Sequence, residues 1–320
     1  MTLAIGDGIN LSVASYTDGK AVDGWVLDTA ASKNFQSGLS VSVYYRDLAN
    51  GTREVIFAWR GTDGMNDWLN GNAGYVGDYP PQFHEAIDYA QQQSIAIAKS
   101  NSTVVFYNVG HSHGGGLSQL ISYVFGWPGF TFEAPGVERL INSPELAADL
   151  ANFQLVPRGV PQNFFNFTEK GSVISDVSAH LGTVIALDQQ GNGLTWAGLV
   201  LLFSGPAGLA SAIMGGVVTG YDQLSQHDKQ NFLDTFVLTY PEGGGITLST
   251  LNQNPGLIPI LSNYVSGKYE LKCDVWYEWV TEQNIDGIPV QVHRPVDAAT
   301  QFEIDAIRDG FYSCSPNLLS

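Results

Sequence analysis

Basic side chains are scarce in this chain: 14 lysines and arginines stand against 31 aspartates and glutamates, a formal charge of −17 over 320 residues. A surface that acidic repels phosphate, so charge attraction to nucleic acid or anionic lipid headgroups is disfavoured and no nucleic-acid partner is expected. Cysteine is nearly absent. Cys273 and Cys314 fit a disulfide and a pair of free thiols equally well, and no spacing suits a structural zinc site. No cofactor is expected, although the acidic side chains leave a calcium requirement open. The first twenty residues have neither a basic segment nor a sustained apolar run, which points away from a cleaved Sec signal. Charge also vanishes locally: residues 189–221 contain no charged side chain. Gly205-Pro206 splits this stretch into halves, each shorter than the ~20 residues that span a bilayer. A buried helical pair and a lid-like, lipid-facing hairpin over 194–219 both fit.

Apolar residues are plentiful, at 44% with 12% aromatic, enough for a large core. Residues 38–47 and 53–59 read as strands joined by Asn50-Gly51, a dipeptide suited to a type I′ hairpin. Val55 to Trp59 is apolar throughout, as a strand covered on both faces should be. Residues 83–99 have helical spacing, with Phe83, Ile87, Ala90 and Ile95 as the apolar positions. A strand over Val104–Val109, a glycine-rich turn, a helix from Leu117 to about Phe125 and a strand over Phe130–Phe132 follow. This alternation predicts an α/β sheet with helical crossovers. Residues 1–237 form the expected core, and 238–320 a strand-rich extension that includes a run over Glu270–Val280.

The chemistry centres on Gly110-His111-Ser112-His113-Gly114. A Gly-x-Ser-x-Gly pattern is weak alone, but here an apolar strand precedes it and a helix-like run follows. That context places a serine on a sharp turn with Oγ raised above the sheet edge and a helix N-terminus behind it. Ser112 is therefore the candidate nucleophile. The backbone N–H of His113 is the first expected oxyanion donor. Thr62, in the Arg60-Gly61-Thr62 turn after a buried strand, is the candidate for the second.

Six histidines could supply the base. His111 and His113 lie in the elbow itself, and His84 precedes it on a helix. His227, in a polar segment just after the apolar stretch, is favoured, with His180 and His293 as alternatives. The acid should follow a strand between serine and histidine. Phe164–Phe167 is such a strand; Glu169 and Asp176 come next, and Asp176 is preferred. Trp196, Leu199 and Phe203 are the candidate substrate contacts, since an enzyme acting at a lipid surface needs apolar side chains to draw out its substrate.

Three segments bear a resemblance. Phe57-Ala-Trp-Arg-Gly-Thr-Asp-Gly-Met-Asn-Asp-Trp68 is similar to the "FRGT…DW" segment of class 3 lipases. Gly110-His-Ser-His-Gly-Gly resembles their "GHSLGG" elbow, and Thr131-Phe-Glu-Ala-Pro-Gly-Val137 their "TFGxPxV" strand. The resemblance covers about residues 35–230 and implies an α/β-hydrolase-like sheet with an apolar helical insertion and a C-terminal β-rich extension. The whole chain looks most like the secreted phospholipase A1 enzymes of enteric bacteria. That likeness implies hydrolysis of the sn-1 ester of glycerophospholipids, export without a cleaved Sec signal, and a small accessory inhibitor protein. It also implies the same roles for Ser112, Thr62, His113 and a later Asp–His pair. Two positions depart from the patterns: His113 replaces the usual leucine, and a "DxxS…HxG" register would put Ser172 where related sequences have the aspartate.

Overall fold

The computed structural model describes residues 3–17, 20–61, 79–101, 103–169, 175, 178–187, 251, 253–260, 269–272, 275–283 and 289–309. Thr62, Asp176, His227, Trp196, Leu199, Phe203, both cysteines and the 194–219 stretch lie outside these residues.

Eight strands form one sheet: β1 (Val26–Leu27), β2 (Lys33–Asn34), β3 (Ser40–Asp47), β4 (Arg53–Trp59), β5 (Val104–His111), β6 (Gly129–Phe132), β7 (Phe164–Glu169) and β8 (Thr183–Leu187). The spatial order is β1-β3-β4-β5-β6-β7-β8, with β2 also on β3. From β4 to β8 all pairs are parallel, whereas β3 is antiparallel to β1, β2 and β4. This is the expected α/β architecture, with a mostly parallel sheet.

Strand order tells where the helices must go. Parallel neighbours visited in sequence by right-handed crossovers place every crossover helix on the same face. Those crossovers are α2 (Pro81–Ser100), α3 (His113–Phe125), and a 3₁₀ turn (Glu138–Asn142) followed by α4 (Pro144–Asn152). Strand alternation then sorts β4: Val55, Phe57 and Trp59 pack with Phe83, Ile87 and Leu120 of α2 and α3. Ile56 and Ala58 point the other way, into a second cluster with Ile5, Ile9 and Leu11 of α1 (Ile5–Ala14). So α1 and the 251–260 segment cover the face that the crossovers leave bare. Arg46 pins α1 to the sheet, bonding Asp7 at 3.1 Å and Glu54 at 2.5 Å.

Three local expectations change. Only Gly51 (φ 82°) of the hairpin dipeptide has positive φ, and Gly51 N–H donates to the Leu48 carbonyl. The loop is thus a turn closed by a left-handed glycine rather than a two-residue type I′ turn. Asn50 Oδ1 takes the Thr52 N–H at 3.0 Å, which holds the longer form. Ile95 is 48% exposed, because its position falls one residue off the stripe that buries Phe83, Ile87 and Ala90. Helix α3 starts at His113, four residues before Leu117, because the glycines after Ser112 join it.

A second sheet near the C-terminus contains β9 (Tyr269–Lys272), β10 (Val275–Gln283) and β11 (Pro289–Pro295), antiparallel in the order β11-β10-β9. The run over Glu270–Val280 is therefore two strands. Helix α5 (Ala298–Asp309) packs on β10 where Trp276 Nε1–H donates to Asp305 at 2.8 Å.

Candidate active site

Ser112 joins β5 to α3 with φ 56° and ψ −131°, a left-handed conformation rare for a residue with a side chain. Strand pairing imposes it from one side: the Ser112 N–H still bonds the Phe132 carbonyl of β6 at 3.0 Å. The helix imposes it from the other, since Gly115 N–H already donates to the Ser112 carbonyl at 2.9 Å. The glycines make room for so abrupt a reversal. A Cβ at Gly110 would lie 2.7 Å from the Gly115 nitrogen, and one at Gly114 would overlap the Trp59 carbonyl.

Ser112 thus stands at the N-terminus of a thirteen-residue helix, where the aligned backbone dipoles place partial positive charge. The Arg60-Gly61 turn lies against it. A Cβ at Gly61 would be 3.1 Å from Ser112 Cβ, 2.6 Å from the His111 carbonyl, and would overlap the Tyr16 hydroxyl.

The other histidines have varied settings. His111 bonds the Tyr16 hydroxyl through Nδ1 at 2.8 Å. His84 Nδ1 meets Asp149 at 2.6 Å, linking α2 to α4. His293 sits in β11 opposite Trp279, with its ring 5.0 Å from that of Tyr277. His180 is gripped at both nitrogens: Gln119 Nε2–H donates to Nδ1 at 3.3 Å, and Nε2–H donates to the Ser175 carbonyl at 2.9 Å. A ring so held serves as a clamp between α3 and the segment after β7.

His113 is buried edge-on against Phe83, with ring centroids 5.9 Å apart. Burial pulls its imidazole down to about 4 from the ordinary 6.5. The folded value is the lower one, so between these pH values the unfolded chain binds more protons than the folded chain. Stability from this group is complete above about pH 6.5 and is lost as pH falls through about 4, by up to about 3 kcal/mol. His113→Leu keeps the backbone N–H and should flatten the dependence of Tm on pH between 4 and 6.5. An unchanged slope would assign the acid sensitivity to another group.

Sequence reasoning passed over Tyr16, Gln119 and Glu133. No signal marks Tyr16 or Gln119. Glu133 had one: it stands at the glycine of the "TFGxPxV" pattern, and its φ is 44°.

Residues 19–194, a stretch of 176 in a chain of 320, match the Tle-like phospholipase domain, a phospholipase-like family. The chain belongs to the Tle-like phospholipase domain family. The chain is also 29% identical over 117 residues to an extracellular phospholipase A1 of Serratia liquefaciens. That match spans 37% of the chain and only about a third (34%) of the curated relative. Among solved structures, a fungal lipase–inhibitor complex aligns with 52% of the chain and 70% of its own, at 14% identity and a TM-score of 0.35. A mutant form of MDLA from Penicillium cyclopium aligns with 59% of the chain and 79% of its own, at 15% identity and a TM-score of 0.36. The elbow at Ser112 lies inside the stretch that matches this phospholipase-like family.

Proposed function

We propose that this chain is a secreted phospholipase A1 that cleaves the sn-1 acyl ester of glycerophospholipids through an acyl-serine intermediate. The observation behind the reading is Ser112: a serine held at φ 56° between a parallel strand and a helix N-terminus, with the Arg60-Gly61 turn against its Cβ. In this reading His227 takes the Oγ proton and Asp176 holds the imidazole. Oγ attacks the ester carbonyl, and the His113 N–H and Thr62 stabilise the oxyanion. Collapse breaks the ester C–O bond, and the lysophospholipid alkoxide leaves with the proton from His227. Water, deprotonated by the same histidine, then releases the fatty acid and restores Ser112. Trp196, Leu199 and Phe203 would contact the acyl chain. Export without a cleaved Sec signal and restraint by a small accessory protein belong to the same reading.

The test is hydrolysis of phosphatidylcholine vesicles labelled on one acyl chain at a time. Release of the sn-1 chain alone is the expected result. Release of only the sn-2 chain would overturn the regiochemistry. Hydrolysis confined to triacylglycerol or short soluble esters would move the chain to a different substrate class.

A further inference from the structure

Glu133 follows β6 directly and combines two features that each disfavour a glutamate. Its backbone is left-handed at φ 44°, where glycine is strongly preferred, and it is 1% exposed, where an ionised carboxylate loses its hydration. Its neighbours account for such a residue. Its N–H donates to the Phe167 carbonyl of β7 at 2.9 Å. The preceding residue, Phe132, supplies the carbonyl that receives the Ser112 N–H at 3.0 Å. Its side chain reaches across the sheet edge, where Oε1 accepts the Ser175 hydroxyl at 3.2 Å.

Ser175 is held a second time, by the His180 Nε2–H on its carbonyl at 2.9 Å. The segment around it is anchored again at Leu181. The Leu181 N–H goes to Gln119 Oε1 at 3.0 Å, and its carbonyl takes Asn166 Nδ2–H at 2.7 Å. Glu138 N–H adds a bond to the Ala179 carbonyl at 3.0 Å. Four polar groups, from Glu133 after β6, Asn166 of β7, Gln119 of α3 and the turn between β6 and α4, thus hold Ser175 and residues 179–181, and Asp176 is next to Ser175 in sequence.

We propose that Glu133 is a positioning residue. Its carboxylate, bonded to the Ser175 hydroxyl, couples the strand that anchors the nucleophile to the segment that bears the triad acid. This rests on the reading of Ser112 as nucleophile and Asp176 as acid. Groups that orient a catalytic side chain from behind typically account for 10- to 100-fold in activity.

Three variants test it against phosphatidylcholine turnover and Tm. Glu133→Gly removes both the left-handed side chain and the buried carboxylate, so Tm should hold or rise while kcat falls about 10- to 100-fold with KM unchanged. Glu133→Gln keeps an oxygen acceptor for Ser175 and should retain kcat within about threefold. Ser175→Ala removes the donor without touching residue 133. It should reproduce the loss of Glu133→Gly, and the double variant should lose no more than either single one. Wild-type kcat in Glu133→Gly or Ser175→Ala, additive losses, or a fall in Tm that parallels the fall in kcat would each overturn the proposal. Those outcomes leave the serine-hydrolase reading standing so long as Ser112→Ala is inactive. An active Ser112→Ala would instead remove the reading on which the proposal depends.

Discussion

Ser112→Ala is expected to lower kcat for acyl-ester hydrolysis by on the order of 10⁴- to 10⁶-fold while the folded chain persists. On the proposed mechanism Ser112 Oγ forms the acyl intermediate, and without it only the modest acceleration from oxyanion donors and binding would remain. Stability should be nearly unchanged, because alanine has the same Cβ and tolerates φ 56° no worse than serine. The strand and helix bonds at this residue are made by backbone groups that the substitution retains. The checks are kcat with labelled phosphatidylcholine, covalent capture by a fluorophosphonate, and circular dichroism. Substantial residual turnover, or labelling that survives the substitution, would sink the elbow assignment. On the same reading His227→Ala is almost as damaging and His293→Ala is mild, since His293 belongs to the C-terminal sheet opposite Trp279. The reverse ranking would move the base into the extension.

Gly114→Ala is expected to abolish the folded state or lower Tm by about 10 °C or more, corresponding to a loss above about 4 kcal/mol. The added methyl would overlap the Trp59 carbonyl and lie 2.8 Å from the Arg60 carbonyl carbon. Both are backbone atoms, at the buried end of β4 and in the turn beside Ser112, so no side-chain rotation can relieve the clash. Relief requires α3 to lift from β4, which would open the contacts of Trp59 and Phe57 with Leu117 and Leu120. Gly256→Ala is the matched control: open space surrounds its Cβ position, and its Tm should stay within about 2 °C. A Gly114→Ala protein that melts with the wild type would show that helix and strand do not meet as closely as described.

How far the sequence could be read depended on how local each signal was. The parallel strands were legible because Val55–Trp59 is apolar without interruption and Phe164–Phe167 is apolar except at Asn166, which reflects burial on both faces. The start of α3 was not, because three consecutive glycines carry poor helix propensity. Burial between β4 and β6 keeps that turn helical regardless. Helix α1 was missed for the same reason. Ile-Gly-Asp-Gly-Ile-Asn has two glycines and an aspartate, and it is helical because one face of the sheet needs cover. Gly8 is there so that the helix can approach Phe130, whose ring lies 2.7 Å from where a Cβ would be.

The strand–glycine–serine–glycine–helix turn was written in adjacent residues, so the position of Ser112 on that turn and the α/β class could be reasoned from order and spacing. The surroundings of that turn were not, because they come from segments distant in the chain. Tyr16 reaches His111 across 95 positions, and Ser175 reaches Glu133 across 42. A left-handed glutamate looks like a poor choice in a linear pattern. It becomes intelligible once β6 and the segment after β7 lie side by side, because a hydrogen bond between distant residues exists only when packing has brought the two together.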